Sequence, residues 1–493
     1  MKINSKNIGL WAGLLFFIVL LLLPTPDGLA PEAHKTTAVA ALMIIWWITE
    51  AIPIYITAFL PVVLFPLLGI LTSAETTKNY GHNYVLMLLG AFILAKGIEK
   101  QQLHKRISLL TIGLLGTDKR RIILGFMVTT AFLSMWITNM AVVLIMLPIA
   151  IALISKEEKG LRKNFGTALL LGIAYAASVG GTATLIGTPP NLVFAGLLGQ
   201  LYPTAPEIDF IGWMKIGLPV ALFFIPIIWL YIVHFFKTHG RLKGGKALIS
   251  NELKALGKVT VGEKRVLSIF ILTALGWVLK KDIEIGDFIL PGWSNLLGVA
   301  AYVHDSTVAL FGAILLFIVN DDNGNKLMDW KSAQNVPWGV AMFLGGGLAL
   351  GLAFKSTGLA EWIGTAFYGL SDFNEFFIIL TVIGLIIFIT EVNSNTATAT
   401  IFLPVLAAMA IAGSINPLLV MIPATFACSF AFMLPSGTGT NTVIFASEKL
   451  KIADMVRTGF WLNLICMVLL PILLYFVLLP LFGVSIEVPP WAK

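Results

Sequence analysis

Apolar runs follow one another along most of the chain, at residues 8–23, 36–50, 53–71, 82–98, 122–155, 164–199, 211–236, 266–279, 305–320, 338–365, 376–411, 417–447 and 459–483. A helix crossing a bilayer needs about 20 mostly apolar residues. The pattern therefore predicts an all-α polytopic membrane protein. Composition agrees: 58% of the 493 residues are hydrophobic and 12% charged, where soluble domains carry about 25% charge. That balance excludes a soluble enzyme, a disordered chain and a nucleic-acid binder. The run 8–23 follows Lys2 and Lys6 and precedes Pro24-Thr25-Pro26, with a signal-type cleavage near Ala30 as the competing reading. It exceeds the usual signal core and many apolar runs come after it, so it is read as a first span. Cys428 and Cys466 both lie inside apolar runs and outline no disulfide framework.

Runs 122–155 and 376–411 are too long for one crossing. As single helices they would extend about 50 Å, against a hydrocarbon core of about 30 Å. Each has a polar patch at its middle, Thr138-Asn139 in the first and Asn393-Ser394-Asn395-Thr396 in the second. Both are expected to be re-entrant helical hairpins. Lys119-Arg120-Arg121 flank the first on one side and Lys156, Lys159, Arg162 and Lys163 on the other. Basic residues gather on the cytoplasmic side, so both ends of this hairpin belong there. Eleven crossings result, with the N-terminus cytoplasmic and the C-terminus outside a multi-pass cell-membrane protein. On that topology 26 of the 33 Lys and Arg residues lie inside.

The chain also repeats. Ser134 to Ala141, followed by Leu147-Pro148, aligns with Thr390 to Ala397, followed by Leu403-Pro404, at an offset of 256. Downstream, Gly187-Thr188-Pro189-Pro190-Asn191 aligns with Gly437-Thr438-Gly439-Thr440-Asn441 at 250. A first repeat at 1–236, a basic linker at 237–265 and a second repeat at 266–493 are expected. With one hairpin opening to each side the repeats are inverted, which with interrupted helices is the sequence signature of a secondary transporter.

Irregular backbone at membrane depth survives where it lines a cavity or is buried in protein. The tips Ile137–Met140 and Asn393–Thr396, and the breaks Gly187–Asn191 and Gly437–Asn441, are such places. Helices restarting there offer free N–H groups and about half a positive charge, which suits a carboxylate. Asn139 and Asn395 add amides, and Thr188, Thr396 and Thr438 add hydroxyls. Carbonyls freed at the same breaks suit a small hard cation. A dicarboxylate fits two opposed tips.

Asn393-Ser394-Asn395-Thr396, Trp46-Trp47-Ile48-Thr49-Glu50-Ala51-Ile52-Pro53 and Gly187-Thr188-Pro189-Pro190-Asn191 resemble the divalent anion/sodium symporter family, over residues 8–483. The resemblance implies C4/C5 dicarboxylate substrates such as succinate, malate, fumarate or 2-oxoglutarate. It also implies an elevator-type homodimer with scaffold and transport domains, no cofactor, and sodium as the ion to consider. Carried over by position, it implies substrate contacts at Thr138, Asn139, Met140, Thr188, Pro189, Ser394, Asn395, Thr396, Thr438 and Gly439. Sodium ligands would come from Ser134, Thr138, Asn139 and Gly187, and from Thr390, Asn393, Asn395 and Gly437.

Three departures stand out. The first tip reads Thr138-Asn139-Met140 where the family shows Ser-Asn-Thr, so a hydroxyl is replaced by a thioether. The second break lacks the two prolines. Glu391 is the one acid near a tip, and its repeat mate is Met135. An intramembrane acid is a functional hypothesis: Glu391 supplies fixed charge beside a cation, carries a proton, or caps a helix or pairs with a Lys. These departures incline the chain towards dicarboxylate exchange, with sodium-coupled di- or tricarboxylate symport as the alternative and another anion carrier or a cation/proton antiporter third. Glu50, His82 and His304-Asp305 sit at span boundaries and are read as structural. No His, Asp or Glu cluster of the kind an integral membrane enzyme needs is present.

Overall fold

The computed structural model describes residues 5–113, 116–157, 162–242, 244–285, 288–367, 369 and 373–492. Lys2 and Lys159, two of the basic residues used for topology, lie outside them. The described chain is helical apart from one two-stranded antiparallel ribbon, in which Ile283 pairs with Leu290 and Ile285 with Phe288. No apolar periodicity announces this ribbon, because it falls in a short loop after the helix Val261–Val278.

Among the described residues, six helical stretches are long and apolar enough to cross a membrane: Ser73–Lys100, Lys163–Gly181, Phe210–Phe235, Trp338–Ser356, Asn395–Ala412 and Ile452–Leu481. Shorter apolar helices include Lys6–Leu22, Asn139–Ser155, Asp305–Ile318, Glu375–Thr390 and Leu418–Cys428. The count differs from eleven in part because runs 8–23, 53–71 and 305–320 give apolar helices shorter than 18 residues, run 417–447 is two short helices, and Asn395–Ala412 is an arm of the second hairpin. The run 164–199 divides into Arg162–Gly181 and Pro189–Leu201, and the run 417–447 into Leu418–Cys428 and Gly439–Phe445. Run 338–365 divides at Gly358, whose φ of 75° is left-handed. An 11-residue helix spans only about 16 Å.

Both over-long runs are helix–break–helix. Lys119–Ser134 and Asn139–Ser155 flank a first tip at 135–138, and Glu375–Thr390 and Asn395–Ala412 flank a second at 391–394. Asp118 starts the first of these helices by accepting the N–H groups of Arg120 and Arg121, and Asn374 starts the third by accepting that of Phe376. Pro148 and Pro404 lie inside the two distal helices.

One large core joins the broken helices of both repeats, with Phe126, Tyr175, Phe194, Trp213, Phe426 and Phe430 among its fully buried residues. A second core packs Pro31–Thr49 and Leu60–Leu68 against Trp338–Ser356, and takes in Ala397, Ile401 and Ala408 from the second hairpin. The first helix, Ser5–Leu22, lies on the second: the Trp46 indole N–H donates to the Leu10 carbonyl at 3.3 Å. Exposed Trp11, Leu22, Leu67, Phe311 and Leu481 line the outside, the position expected of lipid-facing side chains.

Segment 237–265 is docked against the body. Within it Gly245–Ala255 is helical. The Gly240 carbonyl accepts the Lys119 N–H at 3.0 Å, and Arg106 bridges the carbonyls of Gly257 and Lys258 to the Glu263 carboxylate. At the boundaries, Glu50 pairs with Lys6 at 3.7 Å. His82 and His304 each accept a helix-start N–H, and Asp305 pairs with buried Lys280.

Candidate functional site

The two tips share an uncapped helix start and a trio of close oxygens. Thr138 opens the helix Asn139–Ser155 at φ −54°, ψ 136° without a side-chain cap. Ser394 opens Asn395–Ala412 at φ −59°, ψ 135°, again uncapped. The first intrahelical bonds return to Thr138 and Ser394 from Val142 and Thr398. The N–H groups of Asn139, Met140 and Ala141, and of Asn395, Thr396 and Ala397, therefore precede any intrahelical partner and face outward from the helix start. Such ends attract anions without a basic side chain.

Behind each tip sits a trio of oxygens. Ser134 Oγ lies 2.5 Å from Asn139 Oδ1 and 2.7 Å from the Ala177 carbonyl. Thr390 Oγ1 lies 2.9 Å from Asn395 Oδ1 and 2.8 Å from the Cys428 carbonyl. A hydroxyl has one proton to donate, so in each trio one close oxygen pair has no proton between its members. A small cation with oxygen ligands suits that deficit. Ala177 and Cys428 were not foreseen. Their side chains are apolar and only the backbone carbonyl takes part, which residue type cannot signal.

The breaks are matched too. Asn191 Nδ2 donates to the carbonyls of Gly181 and Thr184 at 3.3 and 2.7 Å. Asn441 Nδ2 donates to those of Ala431 and Leu434 at 3.1 and 3.0 Å, the same contacts at offset 250. Open N–H groups at the first break are not realised, however. Pro189 and Pro190 have none, and the Asn191 N–H goes to the Thr188 carbonyl. At the second break the Thr438 hydroxyl caps the Asn441 N–H at 3.1 Å. The first break therefore offers no open donors, while at the second the N–H groups of Gly439 and Thr440 precede the first intrahelical bond, from Thr442 to Thr438.

The fold brings the first tip to the second break. A β-carbon on Gly439 would stand 3.2 Å from Met140 Sδ, and one on Gly181 would collide with the Asn139 amide. Ser178 Oγ is 3.2 Å from Thr440 Oγ1, which is 2.7 Å from Thr438 Oγ1. Among the sodium candidates, Gly187 packs on the Gly181 carbonyl and Gly437 beside the Glu391 carboxylate. Asn393 is buried, accepts the Ser394 N–H at 2.9 Å, and leaves its amide nitrogen unpartnered. Thr188 is buried, while Pro189, Ser394 and Thr396 are half-buried. A cavity of about 640 Å³ adjoins the first tip, walled by Ala141, Leu144 and Pro148 on one side and by Glu99, Lys105 and Glu252 on the other.

Glu391 is a buried acceptor of four N–H bonds. Phe432, Met433 and Leu434 donate backbone N–H groups at 2.7, 2.9 and 2.9 Å, and Asn463 Nδ2 donates at 2.7 Å. These donors lie in the non-helical stretch between Leu418–Cys428 and Gly439–Phe445 and on Asn463, so the contacts are not a helix cap and instead tie down the backbone of the second break.

The family described as the sodium:sulfate symporter transmembrane region matches residues 4–482. A sodium-dependent dicarboxylate transporter SdcS of Staphylococcus saprophyticus is 38% identical over 98% of this chain and 94% of its own length. The SdcS of a bovine Staphylococcus aureus strain is 40% identical over the same shares. Among solved structures, the Alcanivorax borkumensis YdaH transporter aligns with a TM-score of 0.52 at 13% identity, over 96% of this chain and 98% of its own. Neisseria gonorrhoeae MtrF, described among antimetabolite efflux pumps, aligns at 0.54 and 14%, over 98% and 97%. At such identities the structures attest a shared fold alone.

Proposed function

The chain belongs to the sodium:sulfate symporter family, the divalent anion/sodium symporters, and we propose that within it this protein is a sodium-coupled symporter of small dicarboxylates. It is a membrane transporter and not an enzyme, as its relatives are. The observation that carries the proposal is the paired oxygen trio, Ser134–Asn139–Ala177 and Thr390–Asn395–Cys428, one behind each uncapped tip. Each trio holds one sodium ion, joined by Thr138 and Gly187 in the first repeat and by Asn393 and Gly437 in the second. The substrate carboxylates lie across the tip N–H groups, with the Asn139 and Asn395 amides and Thr396 as further donors. Met140, Thr188, Pro189, Ser394, Thr438 and Gly439 shape the walls.

Charge explains the coupling. Taking an ion out of water costs about 20 kcal/mol in the idealised limit and several kcal/mol after relaxation. A dianion accompanied by sodium moves with its charge offset, and the empty carrier keeps oxygens unpaired at each tip. The names of the SdcS relatives weigh on the same side. Exchange, towards which Met140 and Glu391 incline the sequence, is the weaker account because the trios are built for a cation whether or not substrate is present.

On this proposal the protein spans the membrane eleven times with two re-entrant hairpins, N-terminus cytoplasmic and C-terminus outside. The inverted repeats 1–236 and 266–493 form scaffold and sliding transport domains in a homodimer. Purified protein in proteoliposomes, empty or loaded with succinate, tests the coupling. Labelled succinate should enter empty vesicles with external sodium and not with choline. Uptake that needs internal succinate and ignores sodium means exchange, and no uptake in any condition refutes dicarboxylate transport.

A further inference from the structure

Between the matched trios and the matched Asn191 and Asn441 contacts, the two repeats differ in how the first helix of the break ends. In the first, the N–H groups of Thr182 and Ala183 close turns onto the carbonyls of Val179 and Gly180, so helix Arg162–Gly181 winds on to Gly181. The Thr184 hydroxyl ties down the Met135 carbonyl at 2.5 Å. In the second, the corresponding N–H groups of Phe432 and Met433, with that of Leu434, turn away to the Glu391 carboxylate. Helix Leu418–Cys428 consequently stops three residues short of the equivalent point. The Ser429 and Phe430 carbonyls, counterparts of Val179 and Gly180, lose the turn-closing donors that those residues have. Beside them the Ser429 hydroxyl is buried without a partner.

The charge is local as well. Four N–H donors converge on the carboxylate, three from the backbone and one from Asn463. No Lys, Arg or His makes an ion pair with it among the described residues. Its Oε2 stands 3.0 Å from where a β-carbon on Gly437 would be, and its own carbonyl 3.2 Å from the same point. The carboxylate thus borders the second-repeat cation site, and the first repeat has Met135 in its place.

We infer that Glu391 is a positioning residue that holds the 429–434 segment unwound and makes the second-repeat sodium site stronger than the first. The inference rests on the symport reading above. A fixed carboxylate a few ångströms from a bound cation strengthens its binding by tenfold or more at the effective dielectric of a protein interior. Sodium therefore fills the second site first, and the neutral first site sets the higher sodium concentration that transport needs.

Sodium-dependent thermal stabilisation of the purified full-length protein, read without substrate, tests this alongside sodium titration of succinate uptake in proteoliposomes. Glu391→Gln should raise the half-saturating sodium at least tenfold in both readouts, while the KM for succinate at saturating sodium changes less than threefold. Asn463→Ala removes one hydrogen bond and keeps the charge, and should leave half-saturating sodium within threefold. If Glu391→Gln fails to fold, the double variant Glu391→Met, Leu434→Thr copies Met135 and Thr184 of the first repeat and should show the same weak sodium response. Unchanged sodium response in the neutral variants overturns the inference, and so does an Asn463→Ala variant as impaired as Glu391→Gln, since the carboxylate would then be a clamp only. A wild-type protein with no sodium-stimulated succinate uptake refutes the symport reading instead.

Discussion

Met140 of the first tip lies against Gly439 of the second break, with 3.2 Å between its sulfur and the place a β-carbon would take on that glycine. Two residues 299 positions apart thus form one wall, and neither can change size without moving the other. Gly439→Ala should displace the flexible Met140 side chain by a few tenths of an ångström and raise the KM for succinate about fivefold, equivalent to about 1 kcal/mol. The folded yield should not change. Concentration dependence of uptake in proteoliposomes at fixed sodium checks it, and an unaltered KM would place this wall away from the substrate.

The tip amides serve both ligands, since Asn139 and Asn395 each expose a side chain to the tip and turn an oxygen to the hydroxyl behind it. Asn139→Ala and Asn395→Ala should each abolish uptake while size-exclusion profiles and melting temperatures stay near wild type. Wild-type rates in both variants refute the assignment of the tips.

Ser134→Ala and Thr390→Val remove the hydroxyl from each trio and leave its two carbonyl-type oxygens. Each substitution should shift half-saturating sodium upward by about tenfold, or about 1.4 kcal/mol, with little change in succinate KM at saturating sodium. A sodium titration that overlays the wild type would exclude the trio as a cation site.

Gly217 is packed so closely under the first break that a β-carbon would come 2.5 Å from the Thr182 carbonyl and 2.8 Å from that of Ala183. Gly459 meets the Phe432 backbone in the same way in the second repeat. Backbone cannot yield as a side-chain end can, so Gly217→Ala should shift the break and lower stability by about 2 kcal/mol. Thermal melts in detergent read this directly, and an unperturbed melt would show that the break is free to move.

The Arg106–Glu263 pair, 2.7 Å between Nε and Oε1, anchors the docked 237–265 segment. Burial works to raise the Glu263 carboxyl, but its bonds from Arg106 and the Thr260 N–H outweigh burial and hold it below the ordinary 4.5. A depressed folded-state value means that the contribution is complete above about pH 4.5 and is lost as pH falls through the lower folded-state value. Glu263→Gln should cost about 3 kcal/mol near neutrality, and the gap to wild type should close on acidification. Melting curves of both proteins from neutrality to well below pH 4 check the sign, and a gap that widens towards acid would contradict it.

How far the sequence reaches is seen in particular residues. Thr138-Asn139 and Asn393 to Thr396 announce their tips because polar residues in the middle of a 34- or 36-residue apolar run have no use in lipid unless the helix stops there. Repeat offsets of 256 and 250 then match hydrogen bonds in the structure one for one, from Ser134–Asn139 to Thr390–Asn395 and from Asn191 to Asn441. By contrast, the ribbon at Ile283–Leu290 and the helix within the basic linker carry no such signal. Nor does the closure of the first break, where Pro189 and Pro190 take away the N–H groups that its position as a helix start suggests.

By itself the sequence determined the membrane class, the places where helices break and the pairing of those places into repeats. These are local consequences of hydropathy, helix length and residue chemistry. Only the tertiary structure decided which oxygens face one another behind each tip, that Met140 closes on Gly439, and that Glu391 ties down backbone 41 to 43 residues away. Those contacts depend on carbonyls and N–H groups that every residue has, so which of them are left open is set by where the chain folds and not by which side chains it bears.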